Sequence, residues 1–231
     1  MKLPISDRLL ACAAFVAPGD RVADIGCDHG YLSIHLLTNN IAKSCIAADI
    51  NEQPLLSAVR NAEKYGVKDK MEFCLSDGVR TIPRDFTCMV CAGMGADTMI
   101  SILEAAPWLQ CRQYRLILQC QSKTPMLRSY LSRHGWRITE ESVLRDGKFL
   151  YTVMEVYYEP EYPRLTEAEY YFPPALLENP SRMVPAYFAW VKKGLEITLA
   201  HQADAEKQVA LDYLNALAAD PNLSFLTEVE K

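Results

Sequence analysis

A chain of 231 residues is long enough for one α/β domain with an appendage, or for two small domains. Half of its residues are hydrophobic, yet polar residues interrupt every apolar run short of the roughly 18 to 20 residues of a membrane span, which predicts a soluble protein. A net charge of −5 argues against a uniformly basic nucleic-acid binder, but the balance is uneven: residues 1–158 carry 18 Lys and Arg against 17 Asp and Glu, and residues 159–231 carry 6 against 12.

At the N-terminus Leu9-Leu10-Ala11-Cys12 has the look of a lipoprotein processing site. Ser6, Asp7 and Arg8 stand where a signal peptide needs an apolar segment, so the stretch reads as an amphipathic helix of the mature protein without a targeting segment. From residue 21 apolar strands alternate with helical spacing, the signature of a parallel sheet with crossover helices. Strands are predicted at 21–25, 44–49, 70–75, 87–92 and 115–119, with helices at 31–37, 52–65 and 97–105. Pro54 suits the first turn of the second of these helices and Gly66 ends it.

The next helix opens at Thr124-Pro125, with the threonine hydroxyl as its cap and the proline at its first position, and closes at Gly135. Asp146-Gly147 predicts a hairpin between strands at 136–144 and 149–157, so an antiparallel strand ends the sheet. Prolines 160, 163, 173, 174, 180 and 185 then mark a change from sheet to linker and short helix. Residues 186–219 contain no proline and one glycine, which predicts long helices folded as a hairpin. The division expected is a cofactor-binding α/β domain at 1–158 and a helical domain at 159–231.

All eight cysteines fall in the first 120 residues, inside apolar runs, and read as reduced core thiols of a cytoplasmic protein. Cys88 and Cys91 are three apart in a predicted strand and point to opposite faces, so no metal site is expected.

The chemistry concentrates where strands end. Asp24, then Gly26 and Gly30 at a helix entry, put backbone amides and a carboxylate at the carboxyl edge of a parallel sheet, where open α/β folds bind ligands. Asp49 ends the second strand, placed to accept hydrogen bonds from two ribose hydroxyls, with Ile50 beside it. Ser76-Asp77-Gly78 follows the third strand and is suited to an adenine edge; Ala92-Gly93-Met94-Gly95 follows the fourth as a second bare loop. These features fit a nicotinamide dinucleotide or S-adenosylmethionine equally. The first loop separates them, because Asp28 stands where a dinucleotide site needs its second glycine, and a carboxylate there repels a pyrophosphate while attracting a cationic sulfonium.

With those residues on view, Asp24-Ile25-Gly26-Cys27-Asp28-His29-Gly30-Tyr31-Leu32, Ala92-Gly93-Met94-Gly95, Leu116-Ile117-Leu118-Gln119, Arg145-Asp146-Gly147-Lys148 and Phe172-Pro173-Pro174-Ala175-Leu176-Leu177-Glu178 resemble the bacterial tRNA adenine-N1 methyltransferases that modify position 22, the TrmK family. The resemblance implies a Rossmann-like class I methyltransferase sheet, a coiled-coil-like helical C-terminal domain, S-adenosylmethionine as cofactor and tRNA as partner. It implies cofactor contacts along Asp24, Gly26, Cys27, Asp28, His29, Gly30, Asp49, Ile50, Ser76, Asp77, Gly78 and Ala92 to Gly95. Cys120-Gln121 departs from the family's proline and asparagine at a loop bordering the target base.

On that resemblance the adenine N1 lone pair attacks the methyl carbon, Asp28 stabilises the cationic product, and His29, Gln119 or Gln121 orients the base. Arg8, Lys123, Arg128 and Arg133 are expected to hold tRNA phosphates, the last three within a run at 112–148 that carries eight basic residues against three acidic. A monomer or weak dimer is expected. A nicotinamide-dependent oxidoreductase and a catalytically silent RNA- or partner-binding module are the competing readings.

Overall fold

The structure, a computed structural model, describes residues 3–178 and 180–228. Its centre is a seven-stranded sheet built from β1 (Arg21–Ile25), β2 (Ser44–Asp49), β3 (Met71–Leu75), β4 (Cys88–Met94), β5 (Arg115–Cys120), β6 (Trp136–Asp146) and β7 (Phe149–Tyr158). The spatial order is β3-β2-β1-β4-β5-β7-β6, with the first five parallel and β7 antiparallel to both of its neighbours. The antiparallel strand therefore lies inside the sheet, and β6 forms the edge. The order reverses between β1 and β4, and ligands of open α/β sheets bind in the crevice outside such a switch point.

The strands alternate strictly in what they feed to each face, because successive residues point opposite ways. Cys88 and Val90 pack with α1 (Asp7–Ala14), α2 (Tyr31–Thr38) and α3 (Glu52–Lys64), whereas Met89 and Cys91 pack with α4 (Ala96–Glu104) and α5 (Thr124–Arg133). Cys88 and Cys91 thus lie on opposite sides of the sheet, and all eight cysteines are free thiols. Burial pushes the thiols of Cys12, Cys45 and Cys88 up to about 12, which leaves them protonated and unreactive.

Local details differ from expectation in two places. Thr124 is the first helical residue of α5 rather than its cap; Lys123 takes the cap position in a left-handed conformation (φ 57°), and Pro125 follows inside the first turn. In the hairpin, Asp146 pairs with Phe149, so the two-residue loop is Gly147-Lys148, with the glycine (φ 59°) first, as a type II′ turn requires.

Past β7 come a short α6 (Ala175–Glu178) and the antiparallel pair α7 (Val184–His201) and α8 (Ala205–Ala219). Asp204 caps α8 by accepting from the Lys207 amide at 3.0 Å. These helices have their own core around Phe172, Tyr187, Phe188 and Leu214, and Val143 of β6 joins it. No helix among the described residues is long and apolar enough to cross a membrane.

Candidate active site

A cavity of about 570 Å³ opens at the carboxyl ends of β1 to β4. Of the residues expected to contact cofactor, Gly26, Asp49, Ile50, Ser76, Asp77, Gly78 and Met94 line it. Asp49 is 8% exposed, and its two oxygens accept from the amides of Asp28 (3.2 Å) and Asn51 (2.9 Å). An ionised carboxylate has about four lone-pair positions, so roughly two remain for a ligand diol. Gly26 is obligatory: φ is 72°, and a Cβ there would lie 2.4 Å from the Met94 methyl.

Asp24 stands behind this wall instead of lining it. Its carboxylate is 4% exposed, accepts from the Ser33 hydroxyl at 2.8 Å, and ties β1 to α2; burial raises its pKa to about 6 despite that hydrogen bond. Cys27 is buried against the same helix layer, and Gly30 has its Cβ space filled by Ala58 at 3.0 Å, so both serve packing of the loop. Asp28 and His29 sit at the rim with side chains 70% and 49% exposed, the His29 Nε2 3.6 Å from an Asp28 carboxylate oxygen. Asp28 adopts φ 49°, a strained angle for a non-glycine residue at a loop that carries chemistry.

Two expected roles are corrected. Gln119 is fully buried, with its Oε1 accepting from the Gly93 amide at 2.9 Å and its Nε2 donating to the Cys120 carbonyl, so it fastens the bulge at the end of β4 and presents no surface to a base. Arg128 has no exposed surface; it forms a two-armed ion pair with buried Glu141 and donates to the Tyr170 and Tyr171 carbonyls and the Tyr187 hydroxyl. No phosphate can reach it. Arg133 stays exposed at the C-terminal end of α5, roughly 14 Å along the helix from Thr124, with its guanidinium 5.8 Å from the centre of the Tyr170 ring.

The basic run at 112–148 consequently does not form one surface. Arg115 pairs with Asp20 and Glu155, Arg137 with Glu159, and Lys123 with Asp97 at 2.9 Å. Lys123 and Asp97 are each more than half exposed, and the ammonium holds the Asp97 carboxyl below its usual range. The Arg8 guanidinium lies against Gly93, where a Cβ would come 2.7 Å from it, and its buried Nε has no partner among the described residues.

The sequence reading missed Asn51 and the first turns of α4, where Asp97, Thr98, Ser101 and Ile102 close the cavity opposite Asp49. The signal was present as polar residues spaced one, three and four apart directly after Gly95, which marks one helix face at a strand end. Among the described residues no group of three or more His, Cys, Asp or Glu is arranged to hold a metal.

A family model described as a methyltransferase domain matches residues 5–154. A curated tRNA (adenine(22)-N(1))-methyltransferase of Bacillus subtilis is 32% identical over 154 residues, an alignment spanning 66% of this chain and 65% of that protein, just short of two thirds of its length. Among solved structures, a Streptococcus pneumoniae protein described as a putative tRNA (m1A22) methyltransferase is 31% identical, with a TM-score of 0.80 over 92% of this chain and 97% of its own. The same protein solved with S-adenosyl-L-methionine superposes with a TM-score of 0.78 at 32% identity. The chain belongs to the methyltransferase-domain family, in the group whose solved members include the putative tRNA (m1A22) methyltransferase of Streptococcus pneumoniae.

Proposed function

We propose that this protein transfers a methyl group from S-adenosylmethionine to N1 of adenine in tRNA, at position 22. The observation that carries the reading is the cavity at the switch point, with Asp49 anchored by two amides and Asp28 standing over the loop where a pyrophosphate site needs bare backbone. The likeness to a solved relative along nearly its whole chain supports the choice of tRNA.

When bound, the cofactor supplies an electrophilic methyl group on a positively charged sulfur. Around it, Asp49 accepts the ribose hydroxyls through its unused lone pairs, while Ile50 and Ile102 offer apolar surface to the adenine ring. Asp77, although it already pairs with Arg80 at 3.1 Å, and the backbone of Ser76-Gly78 receive the adenine edge. The nucleophile is the neutral N1 lone pair of the target, so alignment matters more than removal of a proton. As the bond forms, positive charge grows on the base, and the exposed carboxylate of Asp28 faces it, with His29 beside it. The bulged end of β4 at Gly93, held by Gln119, and the loop that follows it border the entry for a base extruded from its stack. Arg8 and Lys123 flank that loop as phosphate contacts.

On this reading residues 1–158 form the catalytic domain and 159–231 a helical domain, and the enzyme works in the cytoplasm as a monomer or weak dimer. The test is to incubate the protein with unmodified tRNA and labelled donor, digest the RNA and identify the nucleoside by mass spectrometry. The expected product is 1-methyladenosine at position 22. No incorporation, together with tight binding of NAD and none of S-adenosylhomocysteine in calorimetry, would sink the reading in favour of an oxidoreductase.

A further inference from the structure

A second concavity of about 550 Å³ runs between the loop after β5, strand β7 and the inner face of α7. It shares a wall with the cofactor cavity, because the Gln121 amide at its mouth donates to the Met94 carbonyl at 2.8 Å and Met94 lines the first site. Volumes of this size hold a small ligand or a single nucleotide.

Three features of its lining are unexplained by folding alone. Trp190 is 57% exposed, whereas Trp136 is 3% exposed, and a large aromatic left open in a concave apolar wall is a binding surface more often than a packing element. Its ring stacks on that of Tyr187 at 5.7 Å between centroids, 29° from parallel, so the platform is held from behind. Gly194, one helical turn on, leaves the α7 wall bare, since a Cβ there would meet nothing within 4 Å. On the opposite side Thr152 lines the groove, is 2% exposed, and its hydroxyl finds no hydrogen-bond partner among the described residues. Such a buried hydroxyl destabilises the fold unless something completes it.

We infer that this groove is a stacking site for one unpaired base of the RNA substrate, next to the base that is methylated. The inference rests on the tRNA reading above and adds a residue-level contact to it. A flat ring with a polar edge fits between an indole and a hydroxyl that can either donate or accept, which makes the site tolerant of base identity. The ammonium groups of Lys123 and Lys207 border the same groove and suit the phosphates that any such base carries. An apolar peptide or a second copy of the chain would leave the Thr152 hydroxyl without a partner.

The experiment compares methylation kinetics on unmodified tRNA for the wild type, Trp190→Ala, Trp190→Phe and Thr152→Val, with S-adenosylhomocysteine calorimetry, thermal melts and light scattering on each. Loss of one base stack raises KM for tRNA about tenfold in Trp190→Ala, with kcat nearly kept, and Trp190→Phe restores most of it. Thr152→Val raises KM by a smaller factor. Cofactor-product affinity and particle mass stay at wild-type values, and so does melting in the Trp190 variants, whereas Thr152→Val, which removes an unpartnered buried hydroxyl, melts no lower than wild type. Unchanged KM in Trp190→Ala overturns the inference, as does a change confined to self-association, or weakened S-adenosylhomocysteine binding. If the wild type itself does not methylate tRNA, the function reading fails; if it does and Trp190→Ala matches it, only the groove assignment fails.

Discussion

Asp24 ends β1 with a carboxylate that burial holds at a pKa of about 6, against 3.8 when unperturbed, even though Ser33 donates to it. Below pH ~4 the group is protonated in both folded and unfolded chains, so ionisation costs the fold nothing. Between roughly pH 4 and 6 the unfolded chain releases the proton while the folded one keeps it, and stability falls as pH rises. Above that window the folded chain carries a buried charge, a penalty on the order of 3 kcal/mol for a shift of about two units. Asp24→Asn keeps an oxygen to accept from Ser33 and cannot ionise. Urea denaturation should therefore find the variant more stable than wild type by about 2 kcal/mol at pH 8 and not at pH 4. An advantage equal at both pH values would show that the buried acid is not the cause. Asp49 is the complementary case, since its carboxylate both orders the loop amides and leaves lone pairs open toward the cavity. Asp49→Ala is expected to weaken S-adenosylhomocysteine binding at least tenfold, on the order of 2 kcal/mol for hydrogen bonds to a charged group, as read by calorimetry. Both acids were legible in the sequence because the end of an apolar strand fixes which edge of the sheet a residue occupies. Gln119 and Arg128 were misread for the opposite reason. Their strand or helix position was right, but where the side chain points depends on Gly93, Glu141 and Tyr187, which the chain brings in from 26, 13 and 59 residues away.

Whole elements were legible wherever a two-residue or 3.6-residue period persists, as in β1, β2, α3 and α4, and wherever glycine or proline punctuates it. The insertion of β7 between β5 and β6 was not, because a hairpin signal says that two strands pair and nothing about which of them joins the sheet. The start of α5 was displaced by one residue because Lys123, with no favourable sequence preference for it, takes the left-handed cap angle. That residue offers a test at the scale of the element. Lys123→Gly removes the left-handed strain, worth about 1 to 2 kcal/mol, and adds a backbone-entropy cost of roughly 0.5 to 1 kcal/mol. It also removes an exposed ion pair with Asp97, which solvent screening and side-chain entropy leave close to neutral. These nearly cancel, so the melting temperature should stay close to wild type. tRNA binding should weaken several-fold, and the slope of log affinity against log salt should shrink by about 0.7 to 0.9, the loss of one phosphate contact. A salt slope identical to wild type would remove Lys123 from the RNA interface.

At the scale of the molecule, a buried electrostatic knot joins the helical tail to the sheet beside the apolar contact of Val143. Arg128 on α5 meets Glu141 on β6 at 2.6 and 3.2 Å, and its remaining donors reach the Tyr170 and Tyr171 carbonyls and the Tyr187 hydroxyl of α7, none of the charged groups being exposed. Removing two charges from water is expensive, and the pair is tolerable only because every arm of the guanidinium is satisfied. Taking away one partner is therefore worse than taking away both. Arg128→Met leaves Glu141 unpaired in the interior and strips two carbonyls of their donor, and it should cost about 3 to 5 kcal/mol in urea denaturation. Adding Glu141→Leu to that variant should recover most of the loss. The same knot sets the position of α7, whose Trp190 and Gly194 wall the groove beside the methyl-transfer cleft. The double variant should consequently fold and bind S-adenosylhomocysteine as the wild type does, since the cavity between β1 and α4 shares none of these residues. Its KM for tRNA should rise, because α7 would be packed in place by apolar contacts instead of held in register by directional hydrogen bonds. A double variant with wild-type KM would mean that hydrophobic packing around Phe172 and Phe188 is sufficient to place the tail, and that the ion pair contributes stability alone.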